Sequence, residues 1–129
     1  MLMILLGAFL FSGGGSDKFL DRYLDNILAV SVEQVKGDEP RKKKLEKVIE
    51  ARVEKAREAY DKVKKSREAF WDTDSDYKAT LDDYEGRIVK LQDNWSTFFV
   101  TLLDVRFEVR NHLLPGEWEK AAEKLANPE

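Results

Sequence analysis

A chain of 129 residues, 43% hydrophobic and 36% charged, is long enough for one domain with its own core, and its apolar residues are too regularly spaced for disorder. Its formal net charge of -3 is too small to name a partner. The absence of cysteine excludes disulfides, thiolate nucleophiles, cysteine-type zinc sites and lipoprotein acylation, and fits cytoplasm and periplasm equally.

Residues 1–15 form an apolar run that closes on Ser12, Gly13, Gly14 and Gly15. The run is far short of the ~20 residues that a spanning helix needs. It reads as an export signal or a short membrane anchor, although it lacks the basic start of a secretory signal. The alternative is an N-terminal segment packed on the bundle. Residues 16–129 read as a single helical-bundle domain.

The spacing predicts a first helix over 16–36. Ser16 is placed to cap it, and Leu20, Tyr23, Leu24, Ile27, Leu28, Ser31 and Val35 share one broad face. Gly37 is a natural stop, and Asp38-Glu39-Pro40 restarts the chain. A second helix over about 40–70 carries the stripe Leu45, Ile49, Val53, Ala56, Tyr60, Val63, Arg67 and Phe70. Ala56 at mid-stripe leaves room for bulky side chains opposite.

Residues 71–79 read as a turn. Thr80 and Asp83 form a capping box in front of a third helix over 81–112. Its stripe, Leu81, Tyr84, Ile88, Leu91, Trp95, Phe98, Leu102, Val105, Val109 and His112, keeps unbroken three- and four-residue spacing. Long helices joined by a short polar turn lie antiparallel. A second apolar line, Val100, Leu103, Phe107 and Leu114, predicts that the C-terminal half of this helix is covered on two sides. Leu114-Pro115-Gly116-Glu117 ends it, and a short helix over 117–125 turns Trp118, Ala121, Ala122 and Leu125 inward. The expected fold is all-α: a long antiparallel hairpin of 40–70 and 81–112, thickened by helices at 16–36 and 117–125.

Candidate chemistry is sparse. Asp72, Asp74 and Asp76 are spaced as the first three ligands of a calcium loop, with Asp83 at the twelfth position. Tyr77 stands where that loop needs glycine, so turn and cap chemistry is the first reading and a weak cation site the second. Arg41, Lys42, Lys43 and Lys44 open the second helix, and Lys62, Lys64, Lys65 and Arg67 close it. These clusters read as a solvated, dipole-compensating face or as a surface for an anionic partner such as phospholipid headgroups. Glu46, Glu50, Glu54 and Glu58 on the same helix argue against nucleic acid.

His112 is the only histidine, so no histidine pair or triad can form within one chain; it reads as a half-buried residue at a helix end, with a pH-sensing or metal role open only across an oligomer interface. Trp71, Trp95 and Trp118 read as core or turn anchors. Arg87, Arg106 and Arg110 are expected to pair with Asp83, Asp104 and Glu108. No glycine-rich phosphate loop, Ser/His/Asp set or enclosed carboxylate pair can be assembled, so neither enzyme activity nor a cofactor is expected.

The stretch Asp76-Tyr77-Lys78-Ala79-Thr80-Leu81-Asp82-Asp83-Tyr84, with Asp104-Val105-Arg106-Phe107 and Leu113-Leu114-Pro115-Gly116-Glu117-Trp118, resembles small uncharacterised bacterial envelope proteins of helical-hairpin form. More distantly, the chain is similar to the periplasmic stress-adaptor and heavy-metal-resistance helical family. Only Leu114-Pro115-Gly116-Glu117 corresponds to that family's Leu-Thr-x-x-Gln turn, without the Thr or the Gln. The resemblance covers roughly residues 40–120 and carries over no binding residue. It implies an envelope location, periplasmic or membrane-tethered, and binding rather than catalysis. The expected function is therefore a non-enzymatic helical binding or scaffold protein, adaptor- or chaperone-like, with a protein partner or self-association. The alternatives are a peripheral anionic-membrane protein using the basic helix 41–67, a weak cation sensor, and a cytoplasmic location if residues 1–15 are no signal.

Overall fold

The computed structural model describes residues 15–127, so the expected export signal or anchor lies outside what it describes; Ser16 falls within the first helix, and its side chain is not described. All secondary structure among the described residues is helical: α1 Gly15–Gln34, α2 Glu39–Ser75, α3 Leu81–His112 and α4 Pro115–Ala126. Helices α2 and α3 are the arms of the antiparallel hairpin, and α1 packs closely on α4. The chain divides into two compact units. One is Glu54–Leu102; the other joins residues 15–53 to 103–127.

In the second unit, α1 ends where the sequence changes character. The Val35 and Lys36 amides donate to carbonyls only three residues back, and Gly37 turns the chain with φ +94°. That left-handed value is open to glycine at little strain. Asp38 then caps α2: its Oδ1 accepts the Arg41 amide at 3.3 Å and its carbonyl accepts the Lys42 amide at 2.9 Å. The core joins Ile27 and Val35 to Leu45, Ile49, Val105, Val109, Leu113 and Ala121, with Tyr23, Val53, Trp118 and Leu125 at its edge. Ser31, on the inward face of α1, is fully buried.

In the Glu54–Leu102 unit the buried residues of α2 include alanines and an aromatic ring. Ala56 and Ala59 are buried on α2 beside Tyr60, whose ring lies 5.2 Å from Phe98 and 6.4 Å from Trp95. Trp95 also stacks on Phe99 at 5.5 Å. Edge-to-face and offset contacts of this kind add to the stabilisation from area burial alone. Asn94 Nδ2 donates to Ser66 Oγ and to the Lys62 carbonyl, tying α3 to α2 beside that cluster.

Three expectations need correction. First, α2 continues to Ser75 instead of stopping near residue 70, which shortens the turn to 76–80. The extra turn is held by cross-hairpin contacts: Phe70 against the Tyr84 ring at 6.2 Å, Tyr84 Oη donating to Asp74 at 3.0 Å, and Arg87 Nε donating to Thr73 at 3.3 Å. Trp71 is consequently a helical residue left 44% exposed, not a turn anchor. Second, the α3 stripe is buried only from Leu91 onward; Leu81 and Ile88 are exposed. Third, Val100, Leu103, Phe107 and Leu114 are exposed rather than covered. Within the second unit, α4 docks through Ala121 into the core that holds Val105 and Val109, and no described element remains for the neighbouring face of α3.

Candidate functional site

The two basic clusters of α2 fall in different units. Arg41 is engaged inside its unit: Nη2 and Nη1 reach the two carboxylate oxygens of Glu117 at 2.6 and 3.1 Å, and Nη2 also donates to the His112 carbonyl at 3.4 Å. Glu117 Oε1 accepts the Leu114 amide as well, at 2.8 Å, so one carboxylate anchors Arg41 and caps α4. The guanidinium, followed by the Leu114 amide, holds the Glu117 carboxyl below its ordinary range, and Glu117 raises the Arg41 guanidinium. His112 is half-buried, with Nδ1 2.8 Å from the Glu108 carbonyl.

Lys43 and Lys44 are exposed and Lys42 half-buried. At the other end of α2, Lys62 and Lys65 are exposed, while Lys64 leans over the Tyr60 ring at 5.4 Å and lies 3.5 Å from Asp61. Arg67 is only 8% exposed, inside the stripe that separates Val63 from Phe70. A surface for an anionic partner thus draws on fewer side chains than the sequence offers.

The three aspartates of the candidate calcium loop are not brought together. Asp72 and Asp74 fall within α2, and residues two apart on a helix point to different sides. Asp74 accepts the Tyr84 hydroxyl, which raises the Tyr84 pKa, and Asp76 accepts the Lys78 amide at 3.0 Å in a turn of its own. Among the described residues no cluster of three acidic or histidine side chains could hold a metal ion. Asp83 is used as a cap: it accepts the Thr80 amide at 2.9 Å, and Thr80 Oγ1 accepts the Asp83 amide at 3.2 Å. These two bonds hold its carboxyl below the ordinary range.

The expected ion pairs of α3 are rearranged. Arg52 of α2 takes both carboxylates, Asp104 at 2.7 Å and Glu108 at 3.2 Å. Arg106 instead sits over the Trp118 ring at 5.9 Å with the Tyr23 hydroxyl at 3.5 Å, and Arg110 lies over the Phe107 ring at 5.8 Å. The result is an exposed apolar face, Leu103, Phe107 and Leu114, each more than half accessible, edged by two arginines that lie against rings. Chemically this is a surface for apolar contact flanked by positive charge, which suits an amphipathic segment with an acidic edge.

The first turns of α3, in the Glu54–Leu102 unit, have the opposite character. Leu81 is 73% and Val89 54% exposed, with Asp82, Glu85 and Asp93 also exposed. The sequence displayed all of these residues, but its periodicity could not distinguish a face covered by a neighbour from one left open. Among the described residues no helix is long and apolar enough to cross a membrane. No protein-family model, no curated protein and no solved structure matches the chain.

Proposed function

We propose that the chain is a non-enzymatic helical binding or scaffold protein of the bacterial envelope, adaptor- or chaperone-like, working through the exposed face of α3. The observation that carries this reading is the accessibility of Leu103, Phe107 and Leu114 beside Arg106 and Arg110. Contiguous apolar side chains at a surface, bordered by charge, mark protein-interaction sites. Support for the envelope comes from the apolar run of residues 1–15 and the resemblance of residues 40–120.

The binding half is tested in cells by a photo-crosslinking amino acid at position 107, with position 47, on an exposed charged face of α2, as control. A discrete adduct at 107 that is missing at 47 is expected; equal or absent labelling would remove the reading. The location is tested by fractionation with the intact mass of the recovered protein. Loss of about the first fifteen residues with release into the periplasm marks export, and an intact start in the membrane fraction marks an anchor. An intact start in the cytosol would end the envelope assignment.

A further inference from the structure

We infer that the partner of the arginine-edged face of α3 is a second copy of this chain, which presents the acidic first turns of its own α3. The inference rests on the reading of that face as a binding surface and adds the identity of the occupant. The two faces are complementary in charge. Asp104 and Glu108 are bound by Arg52, while Arg106 and Arg110 lie against Trp118 and Phe107, so positive charge borders Leu103 and Phe107. On the first turns of α3, Asp82, Glu85, Val89 and Asp93 succeed one another at three- and four-residue spacing and share a side, all exposed. Of the cations on those turns, Arg87 donates to Thr73 of α2, and exposed Lys90 stands at the edge of that side, which keeps three carboxylates against one ammonium.

They are also complementary in order and spacing. Leu103 and Arg110 are two helical turns apart, and so are Val89 and Asp82, about 10.5 Å in each case at 1.5 Å per residue. Laid antiparallel with Leu103 of one copy on Val89 of the other, the helices bring Arg110 to Asp82 and Arg106 within reach of Glu85. Phe107 then falls on the Glu85-Gly86 turn. Gly86 presents no side chain there, and a Cβ built on it would meet nothing within 4 Å, so the ring has a place to lie. A parallel alignment over the same two turns would instead set Leu103 on Asp82 and Arg110 on Val89, matching apolar to charged at both ends. The antiparallel contact sets apolar on apolar at one end of the two turns and opposite charges on each other at the other end.

The test is sedimentation velocity of the full chain over a range of concentrations, with circular dichroism to verify that each variant keeps its helices. The wild type is expected to self-associate. Phe107→Ser, and separately the pair Arg106→Glu with Arg110→Glu, should each weaken association by about tenfold or more. The pair Asp82→Lys with Glu85→Lys should do the same, since the carboxylates opposite both arginines are then replaced by positive charge. Mixing the two charge variants should restore a complex that neither forms alone, because each supplies the sign that the other lacks. Charge variants that assemble as well as wild type, or a mixture that stays dispersed, would overturn the pairing. A wild type that stays monomeric while position 107 crosslinks to a different protein would overturn self-recognition but leave the binding reading intact. A monomeric wild type with no adduct at all would remove both.

Discussion

At the scale of single residues, the same side-chain type takes different roles according to what the fold places beside it. Arg41 belongs to the most basic stretch of the chain, yet it is engaged with Glu117 and the end of α3. Arg67, in the second basic cluster, is buried within a core stripe. The Glu117 carboxyl is held below its ordinary range by the Arg41 guanidinium and the Leu114 amide, and the Asp83 carboxyl by its bonds to Thr80. A carboxyl whose pKa is lower in the folded than in the unfolded state stabilises the fold above the ordinary carboxylate range. That contribution disappears as pH falls through the depressed value. The melting temperature of the wild type should therefore fall on acidification through this window. Glu117→Gln should melt lower at neutral pH and show a smaller acid-induced drop in thermal scans. An acid drop unchanged by the substitution would show that Glu117 contributes nothing to it.

At the scale of elements, boundaries were set by competition between local signals and neighbours. Gly37 and the Thr80–Asp83 box acted where the sequence put them, because a left-handed glycine and a reciprocal cap need only their own backbone. The end of α2 was different. Asp72, Thr73, Asp74 and Ser75 favour turns, but the contacts of Phe70, Thr73 and Asp74 with Tyr84 and Arg87 keep them helical. That override also dispersed the candidate calcium ligands. Thr80→Ala removes one bond of the cap and should destabilise the chain by about 1 kcal/mol in urea unfolding. Hydrogen exchange should quicken first at the Asp83 amide, which loses its acceptor. Uniform acceleration along α3 would instead place the effect outside the cap.

At the scale of the whole molecule, buried and exposed aromatic residues on the same helix should separate stability from recognition. Phe98 is 1% exposed within the cluster of Tyr60, Trp95 and Phe99, so Phe98→Ala should cost about 3–5 kcal/mol of stability. Phe107 is 55% exposed, and Phe107→Ser should leave the urea midpoint almost unchanged at concentrations low enough to keep the wild type monomeric. Comparable losses in the two variants would mean that the α3 face is covered in the isolated chain. The sequence by itself determined the four helices of the described residues, the antiparallel hairpin and most of the buried stripe from Leu45 to Val63 and from Leu91 to Val109. Helical periodicity and capping depend on neighbours only a few residues away, and both are written in the chain. Only the tertiary structure decided which apolar line stayed open, which arginines were bound and which carboxylates met. Periodicity identifies a face but not what stands against it. In this chain α4 and Arg52 took their places beside α3, and Leu103, Phe107 and Leu114 were left facing outward.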